Sequence, residues 1–148
     1  MRRVTAGILF PALLTAIVSG CGASEDPNSR EVFPTFGLVT YKGKPIPDAT
    51  VRLHPVNPPA DGKPVYSSRG RVDETGFFAI STYRSGDGAP PGDYRVSISW
   101  LGPLKGVSED EEDKLKERLP RKYTLADASG IQVTIMEGDN MLQEIALN

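Results

Sequence analysis

Five residues of this chain are the candidates for covalent, acid–base or metal chemistry. Cys21 is the only cysteine and His54 the only histidine. Three aspartates, Asp73, Asp87 and Asp93, lie in stretches rich in glycine and proline. A nucleophile with its base, or a zinc or copper site, needs several such groups close together. The chemistry open to each residue therefore depends on the sequence around it.

Cys21 follows a segment with the three parts of an export signal. Two arginines precede an uncharged apolar run, residues 4–18, and small residues follow that run. As a helix the run would span about 22 Å, which is short of the roughly 30 Å hydrocarbon core of a bilayer. Pro11 in the middle of the run also weakens a permanent membrane helix. The segment predicts export, with a signal peptide over residues 1–20.

The sequence VSGC, residues 18–21, resembles the bacterial lipobox, in which an aliphatic residue and two small residues precede a cysteine. The resemblance implies that Cys21 becomes the mature N-terminus, with a diacylglyceryl group on its thiol and an acyl chain on its amine. Two alternatives are cleavage after Ala23 by a general signal peptidase and retention of the apolar run as a membrane helix. We expect Cys21 to be the site of lipid attachment.

The expected location is the cell envelope, on a membrane that the lipid anchor enters. Gly22 stands where some bacteria place an aspartate that retains lipoproteins in the inner membrane. Because Gly22 is not an aspartate, the outer membrane and the periplasmic face are favoured. With Cys21 acylated, no thiol remains for a disulfide or a cysteine-bound metal.

The mature chain of 128 residues is long enough for one domain with a real core. It carries 15 lysines and arginines against 19 aspartates and glutamates, once Arg2 and Arg3 are removed with the signal. A net charge of about −4 argues against binding to nucleic acid or polybasic binding to a membrane. We expect no nucleic-acid partner and no cofactor.

Residues 21–34 predict a lipidated N-terminus followed by a flexible tether with a mean reach near 20 Å. From Phe36 onward, apolar residues recur with a period of two, as in half-buried strands, and turn signals separate most of these stretches. The pattern predicts an all-β domain over residues 35–148. Its architecture is expected to be an antiparallel β-sandwich of about seven strands.

One helix is predicted to interrupt the strands. Ser108 and Glu111 have the spacing of a capping box, and Pro120 ends the helical pattern. Because its apolar stripe is only two or three residues wide, the helix should be short and lie on the surface. Its acidic first turn is explained by self-capping, with a calcium site as the alternative.

Three motifs place this domain close to a known family. The sequence G-x-P-I-x-x-A-x-V at residues 43–51, D-x-x-G-x-F at 73–78 and P-G-x-Y-x-V at 91–96 resembles carboxypeptidase-regulatory-like domains, which share a transthyretin-like (prealbumin-like) sandwich. The whole stretch from Phe36 to Asn148 is similar to small bacterial lipoproteins built on that domain. The resemblance implies a non-enzymatic accessory, folding or adhesion module, because the shared residues belong to the scaffold.

Transthyretin-related hydrolases are enzymes of the same fold class, and this chain lacks what they use. They carry several histidines and a C-terminal Tyr-Arg-Gly-Ser tail, whereas this chain has one histidine and ends in IALN. His54 is therefore interpreted as an exposed strand residue, so we carry over no hydrolase activity.

Each of the remaining site candidates has both a structural and a functional interpretation. Asp73, Asp87 and Asp93 are weak candidates for a calcium site or a carboxylate-based hydrolase, and otherwise shape their turns. Tyr94 and Trp100 are candidates for stacking on a sugar, but both fall on the apolar face of their strand. We assign no catalytic residue and no metal ligand, and no ligand-binding residue is identified.

The sequence thus favours a membrane-anchored, non-catalytic module that meets a protein or glycan partner in the envelope. The alternatives are a ligand-binding or carbohydrate-binding lipoprotein and a carboxylate-based hydrolase.

Overall fold

The computed structural model describes residues 26–112 and 114–148, which form two β-sheets packed face to face. The strands of these residues are β1 Thr35–Tyr41, β2 Lys44–Pro45, β3 Thr50–Pro55, β4 Ser68–Arg71, β5 Phe77–Ala79, β6 Gly92–Ser99, β7 Gln132–Ile135, β8 Asn140–Met141 and β9 Ile145–Leu147. Two single-turn helices, α1 Glu109–Glu112 and α2 Arg121–Thr124, lie between β6 and β7. The all-β sandwich predicted from the sequence is confirmed.

The first sheet has four antiparallel strands in the order β4-β3-β6-β7. The second sheet is built around β1, which pairs antiparallel with β2 and β5 and parallel with β8 and β9. The parallel pairs differ from the antiparallel arrangement that the sequence predicted. Because β1 and the two last strands are far apart in the chain, no hairpin turn fixes their relative direction.

The core lies between the inner faces of the sheets, and it follows the predicted alternation. Val51 and Leu53 of β3 are buried, as are Val96 and Ile98 of β6. Phe78 contributes one of the largest fully buried side chains from the opposite sheet. Burial of such apolar residues contributes about 1.5–3 kcal/mol for each side chain. The period-two pattern therefore identified the inner faces of both sheets.

The helix after β6 is shorter than predicted. Glu111 accepts hydrogen bonds from the backbone N–H of Ser108 at 3.1 Å and from its hydroxyl at 2.9 Å, so the capping residues contact each other. The helix nevertheless ends at Glu112. Further along, the Glu117 carboxylate accepts the backbone N–H of Trp100 at 2.9 Å. Arg118 N–H donates to the Trp100 carbonyl at 2.9 Å. These tertiary bonds to the end of β6 replace the helical bonds that local propensity favours.

Candidate functional site

Asp73 and Asp87 each fold back on their own turn. Asp73 Oδ1 accepts N–H bonds from Thr75 at 2.8 Å and Phe77 at 3.0 Å, and the Thr75 hydroxyl at 2.6 Å. The hydroxyl bond is the main cause of the lowered pKa of Asp73. Asp87 accepts three backbone N–H bonds, from residues 82–84. Both carboxylates thus hold turns, as their sequence context suggested.

Asp93 is placed apart from both, where it accepts a 2.6 Å hydrogen bond from the Thr134 hydroxyl. Asp73 lines a depression of its own, whereas Asp87 and Asp93 line two adjoining depressions that share Tyr66 and Tyr83. In residues 26–112 and 114–148, no group of three or more His, Cys, Asp or Glu side chains is arranged to hold a metal ion. The structure therefore does not bring these carboxylates together.

His54 is half-buried rather than exposed. Its Nε2 lies 2.8 Å from the Ser97 hydroxyl, and its cross-strand neighbour on β6 is Arg95. Burial lowers the pKa of His54, and the positive charge of Arg52 lowers it further. The neutral ring is thus a strand residue hydrogen-bonded to its neighbour. Cys21, the remaining candidate, lies outside the described residues.

The aromatic candidates of β6 belong to the core, as their positions on the strand predicted. Tyr94 is buried, and its hydroxyl donates to the Pro90 carbonyl at 2.8 Å. Trp100 is partly buried against the core, and its Nε1 donates to the Pro47 carbonyl at 2.9 Å. Tyr94 is 5% exposed, and the Arg118 guanidinium lies over the Trp100 ring, 5.6 Å from its centroid.

A pocket of about 390 Å³ lies at the end of the sandwich where β3 ends and β6 begins. We call it the tyrosine pocket, because Tyr66 and Tyr83 form its aromatic wall with ring centroids 5.1 Å apart and planes at 69°. Prolines 55, 59, 90 and 91 add apolar surface, and Asp93 is one of its acidic groups. Its volume falls within the range of small-ligand sites, and its mixed lining is typical of them.

The chain before β1 is fastened to the rim of this pocket. Arg30 makes a two-pronged ion pair with Asp61, at 2.9 Å from Nε and 2.6 Å from Nη2. Its other donors reach the carbonyls of Lys63 and Pro64, and its backbone N–H donates to the Tyr83 hydroxyl at 3.0 Å. The segment that composition predicted to be a free tether is therefore bound to the domain from Ser29 onward, where Lys63 Nζ donates to the Ser29 carbonyl.

The Arg30–Asp61 ion pair should lower the pKa of Asp61 by an amount that a titration can measure. The Arg30 hydrogen bond, assisted by the Lys63 N–H, lowers the pKa of Asp61 from 3.8 to about 2. Because the pKa of Asp61 is lowered in the folded state, the ionised carboxylate stabilises the fold at pH values above its ordinary pKa of 3.8. This contribution is lost as the pH falls through about 2. By NMR, Arg30→Gln should raise the Asp61 midpoint toward 3.8, whereas Arg95→Gln, which breaks a different aspartate pair, should not. An unchanged midpoint in Arg30→Gln would show that the pair does not form in solution.

Part of the outer face of the five-stranded sheet is apolar, which is unusual for a face that meets solvent. Phe36 and Leu38 of β1 point outward between buried neighbours, and Phe77 and Met141 lie beside them on β5 and β8. Leu38 is 43% exposed and Met141 70% exposed. The rings of Phe36 and Phe77 stack with centroids 6.2 Å apart. We call this surface, made of these four residues, the apolar face.

Neither the tyrosine pocket nor the apolar face was predicted from the sequence, for different reasons. The tyrosine pocket joins residues 30, 66 and 83, whose separation in the chain hides their contact. The apolar face did leave a signal in the sequence FGLV, residues 36–39. Phe36 and Leu38 occupy alternate positions of the strand, and Val39 occupies a position between them, which projects to the other side. Such a strand is apolar on both sides.

Comparisons of this chain with protein-family models, curated proteins and solved structures return no match. The resemblances to the lipobox and to carboxypeptidase-regulatory-like domains therefore stay predictions. Among the residues that the structure describes, no helix has the length and hydropathy needed to cross a bilayer.

Proposed function

We propose that this protein is a lipid-anchored module of the cell envelope that binds a protein partner and performs no catalysis. The anchor would be Cys21, by its resemblance to a lipobox cysteine. The binding surface would be the apolar face. What supports the absence of catalysis in this proposal is that Asp73, Asp87 and His54 make hydrogen bonds within turns or between strands.

The observation that carries this proposal is the exposure of the apolar face. Large apolar side chains grouped on the solvent side of a sheet stabilise the isolated domain only a little and mark interaction surfaces. Phenylalanine and methionine are enriched in such interfaces, and charged residues are depleted from their centres. The four residues of the apolar face have this composition. A protein with a complementary apolar patch is thus the partner class that this surface favours.

A second candidate function is ligand binding in the tyrosine pocket. It is favoured by the 390 Å³ volume and by the two tyrosines on its wall. Because the rings meet edge to face, they do not form the flat platform on which a sugar would stack. A short glycan or a proline-rich peptide would instead enter between the rings and the prolines.

The test is site-specific photo-crosslinking from the full-length protein in its own membranes. A photoreactive amino acid at Leu38 or Met141 should yield one discrete crosslinked protein, because both side chains lie on the apolar face. The same residue at Gln132, exposed on the other sheet, serves as the matched control. Phe36→Ser together with Phe77→Ser should reduce the Leu38 product at least tenfold, as for the loss of interface hot spots.

Each other pattern of products contradicts the proposal in a defined way. Equal products from Leu38 and Gln132 would mean that the apolar face is no binding surface. A product of twice the chain's mass would assign the face to a second copy of this protein. A partner that survives changes in the apolar face but is lost in Tyr66→Ala would favour the tyrosine pocket.

A further inference from the structure

The outer face of the four-stranded sheet is polar, in contrast to the apolar face of the other sheet. Beside Asp93, it carries four arginines from three strands: Arg52 on β3, Arg69 and Arg71 on β4, and Arg95 on β6. Each lies between residues that point into the core, so all four project to the same side. We call this surface, defined by the four arginines, the arginine face.

Two of these arginines face each other without a compensating charge. Arg52 and Arg69 are direct cross-strand neighbours, and like charges at such positions destabilise a sheet. Within the described part of the chain, no carboxylate oxygen lies within 4.0 Å of either guanidinium, whereas the other two arginines each have an aspartate within 3.5 Å. Both guanidinium groups stay protonated, and an anion bound between them would offset this repulsion.

We propose that the arginine face rests on the anionic surface of the membrane that holds the lipid anchor. Arg52 and Arg69 would bind phosphate groups of the lipid headgroups, for which their planar forks are well suited. This inference depends on the proposed anchoring through Cys21. It adds to that anchoring an orientation of the domain, in which the four-stranded sheet would face the bilayer.

The distances along the chain support the membrane as the source of the anion. Cys21 precedes Asp26, the first described residue, by five residues, which span at most about 18 Å. The described segment is fastened beside the tyrosine pocket, whose lining includes Pro55 at the end of β3. Arg52 lies three residues earlier on that strand, or about 10 Å away. The anchor is therefore short enough for this end of the sandwich to touch the bilayer, and the charge of its two outer faces decides which side it presents.

This orientation leaves the opposite side of the sandwich free. The apolar face lies on the outer side of the other sheet, so it would point away from the membrane toward a partner. The two aspartates that pair with the other arginines leave the excess positive charge at Arg52 and Arg69, and acids more than about 10 Å from this pair are screened from it. Each arginine near an anionic surface favours the bound orientation about fivefold.

The experiment measures which face lies near the lipid. The mature lipoprotein is reconstituted into phosphatidylcholine vesicles with or without phosphatidylglycerol. A fluorophore is placed through Gln132→Cys on the outer side of the four-stranded sheet, or through Leu38→Cys on the apolar face. Because the acylated Cys21 has no free thiol, each introduced cysteine is labelled alone. Quenching by nitroxide-headgroup lipid should be stronger for the Gln132 position, and only in vesicles with phosphatidylglycerol.

Charge variants test the role of the arginine pair. Arg52→Gln with Arg69→Gln should reduce the lipid-facing population about 25-fold, the product of two fivefold effects. Lys105→Gln with Lys116→Gln removes two exposed charges elsewhere and should leave the quenching unchanged. Urea unfolding should show that the arginine variant is at least as stable as the unsubstituted chain, because it loses a like-charge pair.

The outcomes separate this inference from the proposed function. If the protein carries no lipid and binds neither vesicle, the anchoring fails and this inference fails with it. If the protein stays anchored and both labels are quenched equally, or the arginine variant changes nothing, only the orientation is wrong. Equal quenching together with arginine-dependent retention on an anionic polysaccharide would assign the arginine face to a glycan.

Discussion

Gly88→Ala should destabilise the domain by about 3 kcal/mol or more, which is a large part of the 5–15 kcal/mol that stabilises a typical domain. Gly88 has a φ of +95°, and an added Cβ would collide with the backbone carbonyl of Phe33. That carbonyl accepts the Ala89 N–H at 3.2 Å, in the bridge that joins the N-terminal segment to the sandwich. Left-handed strain costs about 1–2 kcal/mol, and relief of the collision adds about 1–3 kcal/mol.

Gly86→Ala is the matched control for this prediction. Gly86 lies two residues earlier with a φ of +71°, and an added Cβ would have nothing within 4 Å. It should therefore lose only the backbone term, about 1 kcal/mol. Urea unfolding of both variants measures the difference directly. Equal losses would mean that residues 33–34 do not pack against this loop in solution.

Phe78→Ala should cost about 3–5 kcal/mol, whereas Phe77→Ala should cost about 1 kcal/mol. The two rings are neighbours on β5 and point to opposite faces, and Phe78 is 1% exposed. Removing the Phe78 ring leaves a cavity in the core. Removing the Phe77 ring loses only its partly exposed stack on Phe36.

Denaturant unfolding of these two variants tests whether the apolar face supports the fold of the isolated domain. A small loss in Phe77→Ala means that the apolar surface is available for a function other than folding. If Phe77→Ala is as destabilising as Phe78→Ala, the outward ring belongs to a second core, and the argument from exposure fails.

The fold could be predicted from the sequence where a single rule acted locally. On β3 and β6, one face is buried and one is solvated, so alternation alone identified Val51, Leu53, Val96 and Ile98 as core. The turn at Asp73 was predictable for the same reason, since its hydrogen bonds stay within four residues. Local chemistry was sufficient for these elements.

The surfaces could not be predicted because each is assembled from distant segments. Arg52, Arg69 and Arg95 are widely separated in the sequence, and net charge averages them against acids elsewhere. The register of β3 with β4 and β6 places them on one face. Likewise, no local pattern records that Glu117, which the sequence placed in the helix, accepts hydrogen bonds from the Ser99 hydroxyl of β6 and from the Trp100 N–H. Net charge and overall composition therefore do not reveal that charged and apolar side chains lie on different faces of the sandwich.

The central claim is that this sandwich is held at a membrane through Cys21. Mass spectrometry of the mature protein extracted from the membrane fraction tests it most directly. We expect an N-terminal peptide that begins at Cys21 and carries a diacylglyceryl group and a further acyl chain. An unmodified N-terminus at Ser24, or a chain that keeps residues 1–20, would contradict the account.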